Sequence, residues 1–129
     1  MIKDFSIIGL IIIIVIFGHI FIQNALHKSS GETIEELQQI REEIIKSEKI
    51  DKTIQNMANK LYNDWRKKAE NLSIIVDHQE VDVIEKYIIS IQSSVETDET
   101  EMIISKIDEA IFLISQIGDK EKLNLKNIF

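Results

Sequence analysis

The chain opens with an uninterrupted apolar stretch, residues 5–22 (FSIIGLIIIIVIFGHIFI), which contains no Asp, Glu, Lys or Arg. An α-helix rises about 1.5 Å per residue, so this stretch would span roughly 27 Å. That length is close to the roughly 30 Å hydrocarbon core of a bilayer. We therefore predict an N-terminal transmembrane helix, with residues 1–28 as the membrane anchor.

A cleaved signal peptide is the alternative for this segment. The apolar region of a signal peptide is usually about 7–15 residues long and is followed by a small-x-small cleavage site. The apolar run here is longer, and Ser29-Ser30-Gly31 is a poor match to such a site. We interpret the segment as an uncleaved anchor.

Beyond the anchor, apolar residues recur at spacings of three and four, which is typical of amphipathic helices. The pattern predicts helices over residues 33–47, 51–76, 78–95 and 99–117. Proline is absent and glycine is rare, which argues against a turn-rich β protein. Connections this short make neighbouring helices antiparallel. The predicted fold is all-α: a transmembrane helix followed by a small antiparallel bundle of about four helices.

Three boundary predictions follow from local residue types. Ser29-Ser30-Gly31 is interpreted as a hinge between the anchor and a helical domain at residues 32–129. Thr33 and Glu36 have the spacing of a capping box, which would begin a helix there. Gly118 is expected to end the last helix, and the apolar residues after it are expected to dock against the core.

The domain is acidic, and the acidity is concentrated in its second half. Residues 70–110 contain eleven acidic and two basic side chains, a net charge of −9. This argues against binding nucleic acid, which rewards a basic face, and against lying on anionic lipid. The acidic surface of the third and fourth helices is either a solvated face, a site for a basic partner, or a loose site for divalent cations.

No catalytic constellation is present in the sequence. The chain has no cysteine, no serine in a G-x-S-x-G turn and no phosphate-binding glycine loop. A single histidine lies in residues 32–129. We predict that the protein is not an enzyme and needs no cofactor, and we infer no small-molecule substrate.

The densest polar cluster contains a candidate metal pair, His78 and Asp82, which are four residues apart and share a helical face. Capping offers a simpler explanation. Asp77 can cap the helix with Glu80 as its N3 partner, and acids in a first turn complement the helix dipole. A second histidine at ligand spacing is absent. We interpret the cluster as a helix start and keep the metal site as the alternative.

Two further residues are candidate partner contacts. Trp65 lies in the middle of the longest apolar stripe, so we predict that it is buried against residues such as Ile88, Ile91 or Ile114; an exposed binding hot spot is the alternative. His19 is the one titratable side chain inside the predicted span. We expect it to reach the membrane interface, with a functional contact inside the membrane as the alternative.

Several features together resemble a known family. They are the N-terminal span, Trp65, the segment at residues 75–85 (IVDHQEVDVIE) and the end at residues 121–129 (EKLNLKNIF). The chain resembles, over nearly its whole length, the bacterial family called domain of unknown function 4363. The resemblance implies a small single-span protein of spore-forming, Gram-positive-type bacteria. Members are often encoded beside multi-span membrane proteins, which implies a membrane-protein partner, and the family supplies no activity, cofactor or catalytic residue.

The functional hypothesis is a non-enzymatic, membrane-anchored accessory protein whose acidic helical domain binds another envelope or membrane protein. A ligand- or divalent-cation-sensing bundle is the alternative. Lys3 and Asp4 before the span and His27 and Lys28 after it give almost no charge bias. A short N-terminus followed by a long C-terminal domain fits a signal anchor, so we expect the domain to be extracytoplasmic.

Overall fold

The computed structural model contains four α-helices, connected by short turns. They are α1 (Ile2–Ser47), α2 (Lys52–Ile75), α3 (His78–Ser94) and α4 (Thr100–Ile128). The structure describes the backbone of residues 2–128 and the side chains of residues 2–117. No strand occurs between residues 2 and 128, so the predicted all-α class is confirmed.

The helices pack in a ring. α1 contacts α2 and α4, and α3 contacts the same two helices. Because the turns between them are short, consecutive helices run antiparallel. The C-terminal half of α1 thus supplies the first helix of a four-helix bundle, and its N-terminal half projects beyond that bundle.

The core of the bundle is one continuous apolar cluster, to which each helix contributes an inward stripe. The largest fully buried side chains are Trp65, Leu26, Leu37, Ile40, Ile44, Ile54, Leu61, Ile84, Ile88, Ile91, Ile103 and Ile107. Leu26 is 1% exposed, so the core begins only four residues after the end of the predicted span. Burial of side chains this large is the main stabilising contribution to such a fold.

The N-terminal half of α1 has the properties of a membrane span. It is the one helix in residues 2–128 that is long and apolar enough to cross a bilayer. Its apolar side chains are exposed on every side, including Leu10, Ile14 and Phe17. A helix that is apolar all round needs an apolar environment such as lipid.

All three boundary predictions were wrong. α1 continues through residues 29–31 without a hinge. Thr33 lies inside this helix and donates a hydrogen bond from Oγ1 to the Ser29 carbonyl at 2.9 Å, so it does not cap a new one. α4 likewise continues through Gly118 to Ile128. The predicted docking of the apolar C-terminal end lies outside the described side chains.

Candidate functional site

α3 starts where the sequence predicts, and Asp77 caps its N-terminus. The Asp77 carboxylate accepts a hydrogen bond from the Gln79 backbone N–H at 3.0 Å. His78 and Asp82 are both exposed on the surface of α3. Among the described residues, no group of three His, Cys, Asp or Glu side chains is placed to hold a metal ion. The geometry of this cluster is therefore that of a helix N-terminus.

Trp65 lies in the core, as predicted. It is 1% exposed and belongs to the same buried cluster as Ile88, Ile91 and Ile114. A side chain this enclosed offers no surface to a partner while the bundle is folded. His19, the other candidate contact, is a half-buried residue of α1 inside the candidate span.

Two adjoining depressions form a groove along the outside of α3 and α4, and they share Leu113. We call this the α3–α4 groove. The acidic residues that line it are Asp77, Glu80, Glu101, Asp108 and Glu109. Its apolar lining includes Val83, Tyr87, Ile104, Phe112 and Leu113.

Phe112 is the most exposed large apolar side chain of the groove, at 61%, and Val83 is 40% exposed. Solvent exposure of a phenylalanine in a folded domain is informative when it lies beside other apolar groups, since such patches mark interaction sites. Leu113 is half-buried next to Phe112 and packs against the core. The groove therefore combines an apolar floor with an acidic rim.

Several groove and flanking side chains are fixed by bonds between helices. Arg41 of α1 donates from Nε to Asp108 Oδ1 at 2.8 Å. Hydrogen bonding to Glu109 raises the pKa of Tyr87 above its ordinary value, with the charge of that carboxylate adding to the effect. Lys106, one of the two basic residues in this acidic half, donates to Ser94 Oγ at 2.8 Å. These bonds hold the positions of the acidic rim.

A second polar cluster joins α1 to α2. Lys60 lies 2.7 Å from Asp64 and 3.9 Å from Glu36, and Lys68 lies 3.2 Å from Glu32. Burial raises the pKa of Glu36 to about 7, and its hydrogen bond with Asp64 and the Asp64 charge act in the same direction. The bond from Lys60 lowers the pKa of Asp64. In the folded chain Glu36 therefore exchanges its proton near neutral pH, beside an Asp64 carboxyl group whose pKa is lowered.

This arrangement predicts a pH dependence of stability. Glu36 binds its proton more tightly in the folded chain, where its pKa is about 7, than at its ordinary value of 4.5. Its stabilising contribution is therefore complete below about pH 4.5 and is lost as the pH rises through 7. We expect Glu36→Gln, which mimics the protonated form, to match the wild type at pH 4 and to exceed its unfolding free energy at pH 8. The difference should be on the order of 1–3 kcal/mol.

Urea denaturation at the two pH values measures this difference. Glu35→Gln is the matched control, because Glu35 is an exposed acid one residue away. The control should follow the wild type at both pH values. A Glu36→Gln variant that is no more stable than the wild type at pH 8 would contradict the prediction.

Sequence reasoning missed both the groove and the Glu36 cluster. Phe112 lies between Ile111 and Leu113, so the sequence pattern suggests that it belongs to a wide apolar face. Its position relative to the buried stripe of Ile107, Ala110 and Ile114 does place it on the opposite side of a helical wheel. This position on the helical wheel was the feature of the sequence that could have indicated an exposed Phe112. The pairing of Glu36 with Asp64 has no such signal, because it depends on how α1 and α2 are aligned.

Comparison with known proteins identifies the family of this chain. Curated proteins and solved structures yield no match. A family model described as a domain of unknown function, DUF4363, matches residues 20–128. This match covers α1 from residue 20 onward and all of α2, α3 and α4. The chain therefore belongs to the DUF4363 family.

Proposed function

We propose that the protein is a non-enzymatic accessory protein, held in the cell membrane by the N-terminal half of α1, whose acidic bundle binds another membrane or envelope protein. The observation that supports this proposal is the uneven distribution of charge along the bundle. Residues 30–69 contain eight acidic and eight basic side chains, whereas residues 70–110 have a net charge of −9. The exposed Phe112 lies in the acidic part.

An anchored domain needs a partner within reach of the membrane. α1 is continuous from Ile2 to Ser47, so the bundle follows the candidate span directly. A second integral membrane protein would present its own polar segments at this height. We further propose that the bundle is on the extracytoplasmic side, which fits a signal anchor that exports the chain following it.

Affinity purification tests the proposal. The tagged full-length protein is extracted in mild detergent from membranes of its own organism, after chemical cross-linking in intact cells. We expect one membrane or envelope protein to co-purify at a fixed stoichiometry and to be lost when salt is raised, since exposed charges are screened within about 8 Å at physiological ionic strength.

A protein that purifies alone, with or without cross-linking, would overturn the proposal and favour the ligand- or cation-sensing alternative. Protease accessibility in intact cells tests the side of the membrane separately. We expect exposed bundle sites to be cleaved from outside once the cell wall is removed. Protection of the bundle would place it in the cytoplasm.

A further inference from the structure

The α3–α4 groove has a defined position relative to the candidate span. The ion pair Glu32–Lys68 lies nearer the span along α1 than Glu36–Lys60, which confirms that α2 runs back toward the span. The turn from α2 to α3 therefore lies at the span end of the bundle, and Asp77 lies in it. One end of the groove therefore lies at the end of the bundle that faces the candidate span.

The groove also has a defined length. Along α4 its lining extends from Glu101 to Ile117. At about 1.5 Å per residue this distance is about 24 Å, which is the length of a helix of roughly four turns. The groove is thus long enough for one helical segment lying alongside α3 and α4.

The protein's own polar side chains bridge every pair of neighbouring helices, including Lys106 of α4 and Ser94 of α3, so the charge of the lining is what distinguishes the grooves. The α1–α2 groove contains the ion pairs of Lys60 and Lys68. Gln92 of α3 donates to Asn59 of α2 at 2.9 Å across the α2–α3 boundary. In the α3–α4 groove the described lining contains no lysine or arginine, the exposed Phe112 and five acids, of which Asp108 is paired with Arg41 of α1. Its chemistry is complementary to a basic segment with an apolar face.

We propose that the α3–α4 groove receives a basic amphipathic helix that follows a transmembrane segment of the partner protein. Bulky apolar residues on one face of that helix contact Phe112, Leu113 and Val83, and lysine or arginine residues along its edges face the acidic rim. This is recognition of a helix in a groove, with anchors spaced three and four residues apart. The inference rests on the proposed function and adds the site and the chemistry of the partner.

Binding of a designed peptide tests the groove directly. The full-length protein is placed in nanodiscs of neutral lipid, and empty nanodiscs measure background. The probe is a fluorescent 16-residue peptide of leucine and lysine with all leucines on one helical face. A peptide of the same composition with the leucines distributed round the helix is the control. We expect the amphipathic peptide to bind at least about tenfold more tightly.

Matched variants locate the binding. Phe112→Ala should weaken binding about tenfold, as expected for an aromatic anchor, whereas Ile74→Ala should leave it unchanged. Ile74 is 85% exposed and lies outside the groove lining. The double variant Glu101→Gln, Glu109→Gln should weaken binding, and the double variant Glu42→Gln, Glu70→Gln should not. All of these positions are exposed, and glutamine at residue 109 keeps an oxygen that can accept from Tyr87, so thermal unfolding should be nearly unchanged.

Three results would overturn the inference. If both peptides bound equally, or if the groove and control variants lost equal affinity, the peptide would be attracted by the overall negative charge of the protein and not by the groove. Concentration-dependent dimers that exclude the peptide and are disrupted by Phe112→Ala would assign the groove to a second copy of the chain. Co-purification of a native partner that is unaffected by Phe112→Ala would retain the proposed function and place its binding site elsewhere.

Discussion

We expect replacement of Trp65 with alanine to lower the free energy of unfolding of the bundle by about 3–5 kcal/mol. Trp65 is 1% exposed and is the largest of the fully buried side chains. Its removal leaves a cavity among residues of the surrounding helices that cannot close completely. Domains of this size are stable by roughly 5–15 kcal/mol. The loss would therefore unfold much of the population in buffer or move the urea midpoint to a much lower concentration. Urea denaturation of the full-length protein in mild detergent, followed by circular dichroism, measures the effect.

Trp65→Phe is the matched control for this variant. The indole Nε1 is buried without a hydrogen-bond partner among the described residues, and a buried unsatisfied donor costs about 1–3 kcal/mol. Phenylalanine keeps most of the apolar volume and removes that donor, so its loss should be much smaller than that of alanine. Loss of partner binding by Trp65→Ala should then parallel loss of folding.

Fluorescence of the wild-type protein gives an independent check, since Trp65 is its one tryptophan. We expect a blue-shifted emission maximum and weak quenching by acrylamide. Emission typical of indole in water, together with an alanine variant of normal stability that no longer binds its partner, would instead make Trp65 an exposed binding hot spot.

The sequence predicted α2 and α3 closely because two separate features agree there. Apolar periodicity determines which residues face the core, and an aspartate marks each helix start. Asp51 accepts a hydrogen bond from the Ile54 backbone N–H at 3.0 Å, just as Asp77 does from Gln79. The predicted ranges, 51–76 and 78–95, differ from Lys52–Ile75 and His78–Ser94 by one residue at most. Local chemistry and burial favour the same boundaries.

The hinge prediction failed because local preference and packing oppose each other at residues 29–31. Two serines and a glycine disfavour a helix by about 2 kcal/mol in total relative to alanine. Buried side chains on both sides, Leu26 and Thr33, lie seven residues apart and so share one face of a continuous helix. A break would remove Leu26 from the core, at a cost of about 1.5–3 kcal/mol, and would also break the backbone hydrogen bonds of the helix across residues 29–31. Together these costs outweigh the poor propensity.

The groove was unpredictable for a different reason. A helical wheel shows that Phe112 points away from the buried stripe of α4, but it does not show what lies beside it. The groove forms only when α3 and α4 are aligned so that Tyr87 and Val83 lie near Leu113. The alignment depends on contacts between helices, such as that between Lys106 and Ser94. Single-sequence periodicity contains no information about such an alignment.

Replacing Ser30 with proline lowers the unfolding free energy by about 3 kcal/mol or more, because residue 30 lies inside a continuous helix. Proline removes the backbone donor to residue 26 and clashes with that carbonyl, and Leu26 belongs to the core. Ser30→Ala and Gly31→Ala are the controls. A Cβ atom added at Gly31 meets no other atom within 4 Å, so both alanine variants should be as stable as the wild type or slightly more stable.

A distance measurement tests the continuity of α1 itself. Spin labels at the exposed positions Asn24 and Gln38 are separated by about 21 Å along one straight helix. The wild type and both alanine variants should give a narrow distance distribution, and Ser30→Pro a broad one. If the proline variant matched the controls in stability and distance, residues 29–31 would be a hinge in solution. The bundle would then be tethered flexibly, and the α3–α4 groove would have no fixed height above the span at which to meet a helix of the partner.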